Sequence, residues 1–351
     1  MKKLSIMADM AGCPNRCRHC WLGNHRNGQM NIEDFRNIAN QFKGWRNEQG
    51  IGINELIFFS WWREPDFHDD YRILWEMEQE LSLPSQAKRF ELLSIWRLAN
   101  DASYAKWATT LEPKSCQITF FGMEEATDWG INRKGAFRDS LLATERLLRA
   151  GIAPRWQLFV TKRGLRDLEP VLKLIYDLNL HKRCEEIGHK FEVFISGFAP
   201  EGNAYELEHE RLDEKDLDLI PQELISICRE GIDLLGQPEY MLLDSLLNDS
   251  SPPNVQAPPA IAINADYDAY PNIAEPTAWW KLGNLRTDGV DAILKAYRDE
   301  TTPGMSMNRN TPICELAEKY GNRNSTKLYS KDTLICRFMR QWGVDFSNTI
   351  L

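Results

Sequence analysis

The stretch Gly12-Cys13-Pro14-Asn15-Arg16-Cys17-Arg18-His19-Cys20-Trp21 decides how this chain is read. Its three cysteines are spaced C-x3-C-x2-C, with a proline and two arginines between them. Three thiolates on one short loop can hold three irons of a [4Fe-4S] cube, which leaves the fourth iron open to a substrate or cosubstrate. Two plainer readings exist: unrelated thiols, or a zinc site short of a ligand. Zinc sites usually carry paired C-x2-C units with matching partners downstream, and no second pair follows here. Iron needs the thiolate form, which Arg16 and Arg18 favour by proximity.

Outward from the loop, short apolar runs alternate with longer periodic stretches, the rhythm of βαβ units. Strands are expected at 4–7, 55–60, 90–95, 116–121, 155–161 and 191–196. Helices are expected at 31–46, with Asn31 as N-cap, and at 69–81, 102–110, 137–150 and 167–178. Gly151 closes the fourth of these. The strands read as near-continuous apolar runs, as parallel strands covered on both faces do. The expected fold is α/β: a partial (β/α)6 TIM-like barrel over residues 1–205, with its active site at the C-terminal strand ends. Residues 206–259 read as a connector with a helix at 221–235. Residues 260–351 read as a small α+β module, with a hairpin around Ala265-Asp266-Tyr267-Asp268 and a helix at 288–298.

The composition excludes several function classes. The 351 residues are 43% hydrophobic and 26% charged, ordinary values for a globular protein. A net charge of -9 speaks against a nonspecific nucleic-acid binder. No apolar run is long enough for a membrane span. The start, Met1-Lys2-Lys3-Leu4-Ser5-Ile6, reads as a strand rather than a signal peptide. Eight cysteines without an export signal point to a reducing, cytoplasmic setting. The twelve tryptophans read as core or pocket wall.

The cysteine spacing resembles the signature of the radical S-adenosylmethionine (SAM) superfamily, in which SAM chelates the fourth iron. Further segments resemble the same family. Glu55-Leu56-Ile57-Phe58-Phe59-Ser60-Trp61-Trp62-Arg63-Glu64-Pro65 is similar to the strand that ends in Gly-Gly-Glu-Pro, with Trp62 and Arg63 in place of the glycines. Ile118-Thr119-Phe120-Phe121-Gly122, then Asp128 and Arg133, resembles the fourth-strand pattern, with Phe121 in place of an aspartate. Ser196-Gly197-Phe198-Ala199-Pro200-Glu201-Gly202-Asn203-Ala204 resembles the loop after the sixth strand. Residues 261–272 and Gly283-Asn284-Leu285 resemble the frame of a SPASM/Twitch module. Asn272 stands where that module has a cluster cysteine, so the resemblance implies a SPASM-like module without its auxiliary cluster.

The resemblance implies an oxygen-sensitive [4Fe-4S] cluster on Cys13, Cys17 and Cys20, with SAM as cosubstrate. Glu64 would pair with the SAM ammonium, Thr119 would meet the ribose and Arg133 the carboxylate. The Asn203 loop would frame the adenine. His19 would either stack on the adenine or cover the cluster. A flavodoxin- or ferredoxin-type donor would supply the electron. The 5′-deoxyadenosyl radical would then abstract hydrogen from a substrate carbon. Without an auxiliary cluster to oxidise the substrate radical, the expected outcome is redox-neutral: epimerisation, elimination or rearrangement. Epimerisation needs a thiol hydrogen donor, and Cys314 and Cys336 are the candidates. Cys116, Cys184 and Cys228 are weaker ones. The expected substrate is a small molecule. The alternatives are a ribosomally made peptide, although no leader-binding domain fits ahead of residue 13, or a non-catalytic binding role on a degenerate fold.

Overall fold

The computed structural model describes residues 2–23, 25–82, 84–85, 87–89, 91–253, 258–271 and 275–350. Its strands, in chain order, are β1 (Lys3–Ala8), β2 (Glu55–Phe59), β3 (Ser115–Phe120), β4 (Ala153–Phe159), β5 (Glu192–Ser196), β6 (Gln237–Pro238), β7 (Ala260–Ile263), β8 (Asp268–Pro271), β9 (Gly283–Asn284) and β10 (Leu328–Tyr329). The chain forms two compact units. One contains Met1–Pro14, Leu22–Lys88 and Pro252–Thr311; the other contains Asn15–Trp21, Arg89–Ser251 and Pro312–Leu351.

The first unit is built on a sheet of order β2-β1-β7-β8-β9. β1 is parallel to both β2 and β7, while β7-β8 and β8-β9 are antiparallel. The helix Ile32–Gly44 starts where the sequence says it should. The Asn31 side chain accepts from the Asp34 N–H while Asp34 returns a bond to the Asn31 N–H, a full capping box. Phe35, Ile38, Ala39 and Phe42 recur at helical spacing and are fully buried against Leu4, Ile6, Phe58 and Ile261. The hairpin β7-β8 turns through an Asx motif, in which the Asn264 side chain accepts from the N–H groups of Asp266 and Asp268, both at 3.0 Å. Asn284 of the Gly-Asn-Leu segment clamps this turn, donating to the Asp266 carbonyl and the Asp268 carboxylate, both at 2.8 Å. Asn272 lies outside the described residues.

The second unit holds a parallel sheet of order β3-β4-β5 and an antiparallel pair, β10-β6. Two expectations are corrected here. Residues 91–94 form no strand, and a helix, Ile95–Asn100, begins at the expected strand's last residue. Phe90 lies outside the described residues. Ser94 caps that helix by accepting from the Arg97 N–H at 3.1 Å. The helix expected at 221–235 stops after Gln222–Ile227. Cys228 turns extended and bridges to Val193, with Arg229 N–H bonded to the Val193 carbonyl, so the chain leaves the helix to meet the β5 edge.

The strands of this sheet are not continuous apolar runs. β3 alternates half-buried Ser115, Gln117 and Thr119 with buried Cys116, Ile118 and Phe120. β4 alternates likewise, with Arg155, Gln157 and Phe159 on the half-buried face. One face of the sheet therefore carries a row of polar residues, interrupted by Phe159 and Phe194. Arg155 pairs with Glu91 and donates to Gln117 at 2.6 Å, and Gln157 donates to Ser196.

Candidate active site

The cysteine loop follows directly on β1. It passes from the first unit to the second between Pro14 and Asn15 and returns at Leu22. None of the eight cysteines is joined in a disulfide, and Cys13, Cys17 and Cys20 are each half-buried. Among the described residues no three His, Cys, Asp or Glu side chains are grouped so as to hold a metal ion. A cube takes one thiolate per iron at separate corners. Three thiols on one loop, all outside any disulfide, are the donor type that such a cube takes.

In the first unit Glu64 lies just beyond β2. Ser60, at the end of that strand, is fixed by the buried Glu78, which accepts from its N–H at 2.8 Å and its hydroxyl at 2.5 Å. The Glu64 N–H reaches the Gly12 carbonyl at 3.4 Å, and its side chain lines a small cavity with Asp9, Ser60, Asp66 and His68. Without the two glycines the loop takes its left-handed residue at Asp66, φ 57°, a residue type that tolerates that region better than most. A neighbouring cleft of about 410 Å³ is lined by Asp9, Arg63, Trp62, Asn27, Asn264 and Asp266, among others. Trp62 stacks on Tyr270 with ring centroids 5.9 Å apart. Burial pushes the Asp9 carboxyl up from its usual range, and the Arg63 guanidinium opposes that shift.

In the second unit the rest of the loop is tied down from several directions. Arg18 donates its N–H to the Gly130 carbonyl at 2.8 Å and its guanidinium to the Trp129 carbonyl at 3.1 Å. Asn203 donates its N–H to the Cys20 carbonyl at 3.0 Å and its side chain to the Cys17 carbonyl at 3.4 Å. Arg133 reaches Asn15 at 2.7 Å and Asp139 at 2.6 Å, so much of its fork is engaged within the protein. The Asp128 carboxylate accepts from the Gly135 and Phe137 N–H groups and opens the helix Ala136–Arg149. Cys17 packs against the cluster of Phe121, Ala126, Ile131 and Ala136.

His19 packs against Phe121 and Phe159, with ring centroids at 4.9 and 4.6 Å. Its Nδ1 is buried and has no hydrogen-bond partner. Burial lowers its pKa to about 4, so the imidazole is neutral at pH 7. Thr119 lies on the sheet face that carries the polar row, paired in register with Gln157.

The structure separates the two candidate donor thiols. Cys336, on the helix Lys331–Ile350, has the Glu201 carboxylate near its thiol. Burial raises its pKa, and the charges of Glu201 and Asp332 raise it further. Glu201 lies two residues from Asn203, on the loop that touches Cys17 and Cys20. Cys314 lies on the helix Ile313–Tyr320 with its N–H on the Asp249 carbonyl. Cys116 and Cys184 are fully buried and Cys228 nearly so. Desolvation lifts Cys184 to about 11 and Cys228 to about 12.

Sequence reading missed Arg155, Gln157, Ser196 and the Asp9–Arg63 pair. For Arg155 and Gln157 the period-two alternation of polar residues in β4 was the available signal. The ion pair joins residues 54 apart, and no local pattern announces it.

No family model and no curated protein matches this sequence. Solved structures do. The structure described as native anSMEcpe with bound AdoMet and Kp18Cys peptide shares 13% identity at a TM-score of 0.53, covering 99% of each chain. Native anSMEcpe with bound AdoMet shares 12% at a TM-score of 0.51, again covering 99% of each. A histidine-tagged form with bound AdoMet shares 13% at 0.51, covering 99% of this chain and 96% of that one. At these identities the likeness is one of fold, and anSMEcpe is a radical SAM enzyme. The chain has the fold of the radical SAM enzymes.

Proposed function

We propose that this chain is a radical SAM enzyme that holds a [4Fe-4S] cluster through Cys13, Cys17 and Cys20 and acts on a carbon of a peptide substrate. The observation that supports it is a C-x3-C-x2-C loop placed directly after β1 in a fold shared over 99% of the chain with anSMEcpe. The peptide is supported by the same neighbour, whose structure contains AdoMet and a peptide. In this reading the peptide takes the place of the small molecule expected from sequence. When bound, the cluster and SAM supply the electron transfer and the 5′-deoxyadenosyl radical that removes the substrate hydrogen.

The chain's own residues do the rest. Asn203, Arg18 and Arg133 hold the loop in place. Glu64 accepts the SAM ammonium, and Thr119 offers its hydroxyl to the ribose from its sheet face. Neutral His19 covers one side of the loop with an apolar surface. Cys336 is the hydrogen donor, kept as the thiol by burial and by Glu201. Its S–H bond breaks homolytically and a C–H bond forms on the substrate radical. The thiyl left behind takes one electron and one proton, the electron from a flavodoxin- or ferredoxin-type donor. The overall change at the substrate is then redox-neutral.

Glu64→Ala tests the cosubstrate assignment. A charged hydrogen bond lost here weakens SAM binding by about 1–3 kcal/mol. Isothermal titration with SAM on the reconstituted variant reads the loss, with circular dichroism as the check on folding. Unchanged affinity in a folded variant moves the ammonium contact to the backbone.

A further inference from the structure

Arg63 occupies a position where the resembling pattern has glycine, and its side chain is only 7% exposed. It forks onto Asp9, just past the end of β1, with Nε at 2.7 Å and Nη2 at 2.6 Å from the same oxygen. Its Nη1 donates to the His25 carbonyl and to Asn27 Oδ1, both at 3.1 Å. Asn27 passes the contact on. Its Oδ1 accepts the Cys13 N–H at 3.2 Å, and its Nδ2 donates to the Cys13 carbonyl at 2.8 Å. One amide thus holds both backbone polar groups of Cys13, and Arg63 holds that amide.

Gly12 completes the arrangement. Its φ is +85°, and a Cβ there would lie 2.3 Å from Asn27 Oδ1 and 2.5 Å from Arg63 Nη2. The relay therefore packs directly against the backbone in front of the first cysteine, and only glycine leaves it room.

We infer that Asn27 and Arg63 are positioning residues for Cys13, fixing its backbone through an Asp9–Arg63–Asn27 relay so that its thiolate is presented in one orientation before iron arrives. This rests on the reading of Cys13 as a cluster ligand. The plainer reading makes Asp9–Arg63 a stabilising ion pair and nothing more. Buried pairs seldom repay their desolvation, and stability alone does not call for an amide that takes both polar groups of one cysteine. Partners that orient a metal ligand typically change metal retention by about 10- to 100-fold when removed.

The test uses Asn27→Ala, which leaves the ion pair in place, and Arg63→Lys, which keeps the charge but loses the fork. In the apoprotein, amide hydrogen exchange at Cys13 should speed up by about tenfold in Asn27→Ala, in line with the loss of one hydrogen bond. Exchange at Arg18, whose N–H goes to Gly130, should stay as in wild type. After reconstitution the same variant should lose iron to a chelator about tenfold faster, with a broadened signal from the reduced cluster in electron paramagnetic resonance. Arg63→Lys should fall between the two. Wild-type exchange at Cys13 in folded Asn27→Ala overturns the inference. So does faster exchange with iron retention and signal unchanged, which leaves the relay a purely structural role. If wild-type protein takes up no iron, the cluster reading fails, and the exchange experiment alone decides whether the relay holds Cys13.

Discussion

Replacing Cys13, Cys17 and Cys20 together by alanine takes the reconstituted protein from about four irons per chain to none. The visible sulfur-to-iron charge-transfer absorbance disappears with them. The effect is expected to be all-or-none because, in the proposed reading, each cysteine would be the sole protein ligand to one iron. The loop itself should survive. Its backbone is held by Asn27, Asn203 and the Arg18 N–H, none of which bonds through a thiol. Iron analysis and absorbance on anaerobically reconstituted protein read the result, with circular dichroism as the folding check. A triple variant that kept its iron would remove the cluster from this loop. A wild type holding about eight irons would show a second cluster, and the redox-neutral outcome proposed above would lose its basis.

The second large effect falls on Cys336. Cys336→Ala should still form 5′-deoxyadenosine but should stop giving the normal product, because hydrogen abstraction and hydrogen return use different groups. Wild-type turnover in deuterium oxide should place one solvent deuterium on the product carbon, since a thiol proton exchanges with water. SAM should be consumed stoichiometrically. Cys314→Ala should behave as wild type, as among the described residues no bond ties Cys314 to the 197–204 loop. A product two hydrogens lighter than substrate, with no deuterium gained, would rule out the thiol donor and point to a net oxidation.

Local signals in this chain were readable, and long-range ones were not. The N-cap at Asn31, the hairpin turn at 265–268 and the helix following Asp288 each arise within a few residues of sequence, and each is found in the structure, the first as a full capping box and the second as an Asx turn on Asn264. The run Leu92-Leu93-Ser94-Ile95-Trp96 was ambiguous, since a short apolar stretch suits a strand or a buried helix equally. Ser94 settled it by capping a helix, helped by the Tyr104 hydroxyl that accepts its N–H at 3.1 Å. At 221–235 helical periodicity was overridden by a tertiary contact, the bridge of Cys228 to the β5 edge. The three cysteines stood out because their spacing by itself carries the chemistry proposed for them. The relay through Arg63 and the link from Glu201 to Cys336 were hidden, because both join segments far apart in sequence. In the sequence Trp62 and Arg63 stood in place of a glycine pair, with no local signal of what they do. In the structure Trp62 stacks on Tyr270, and Arg63 anchors the approach to Cys13.

The central claim is that this fold carries radical SAM chemistry rather than a binding role. It is tested most directly by incubating reconstituted wild-type protein anaerobically with SAM and dithionite and measuring 5′-deoxyadenosine by liquid chromatography. The account predicts 5′-deoxyadenosine and methionine in equal amounts, and neither from the triple-cysteine variant. A wild type that holds its four-iron cluster and binds SAM, yet yields no 5′-deoxyadenosine above that variant with or without peptide, would contradict it.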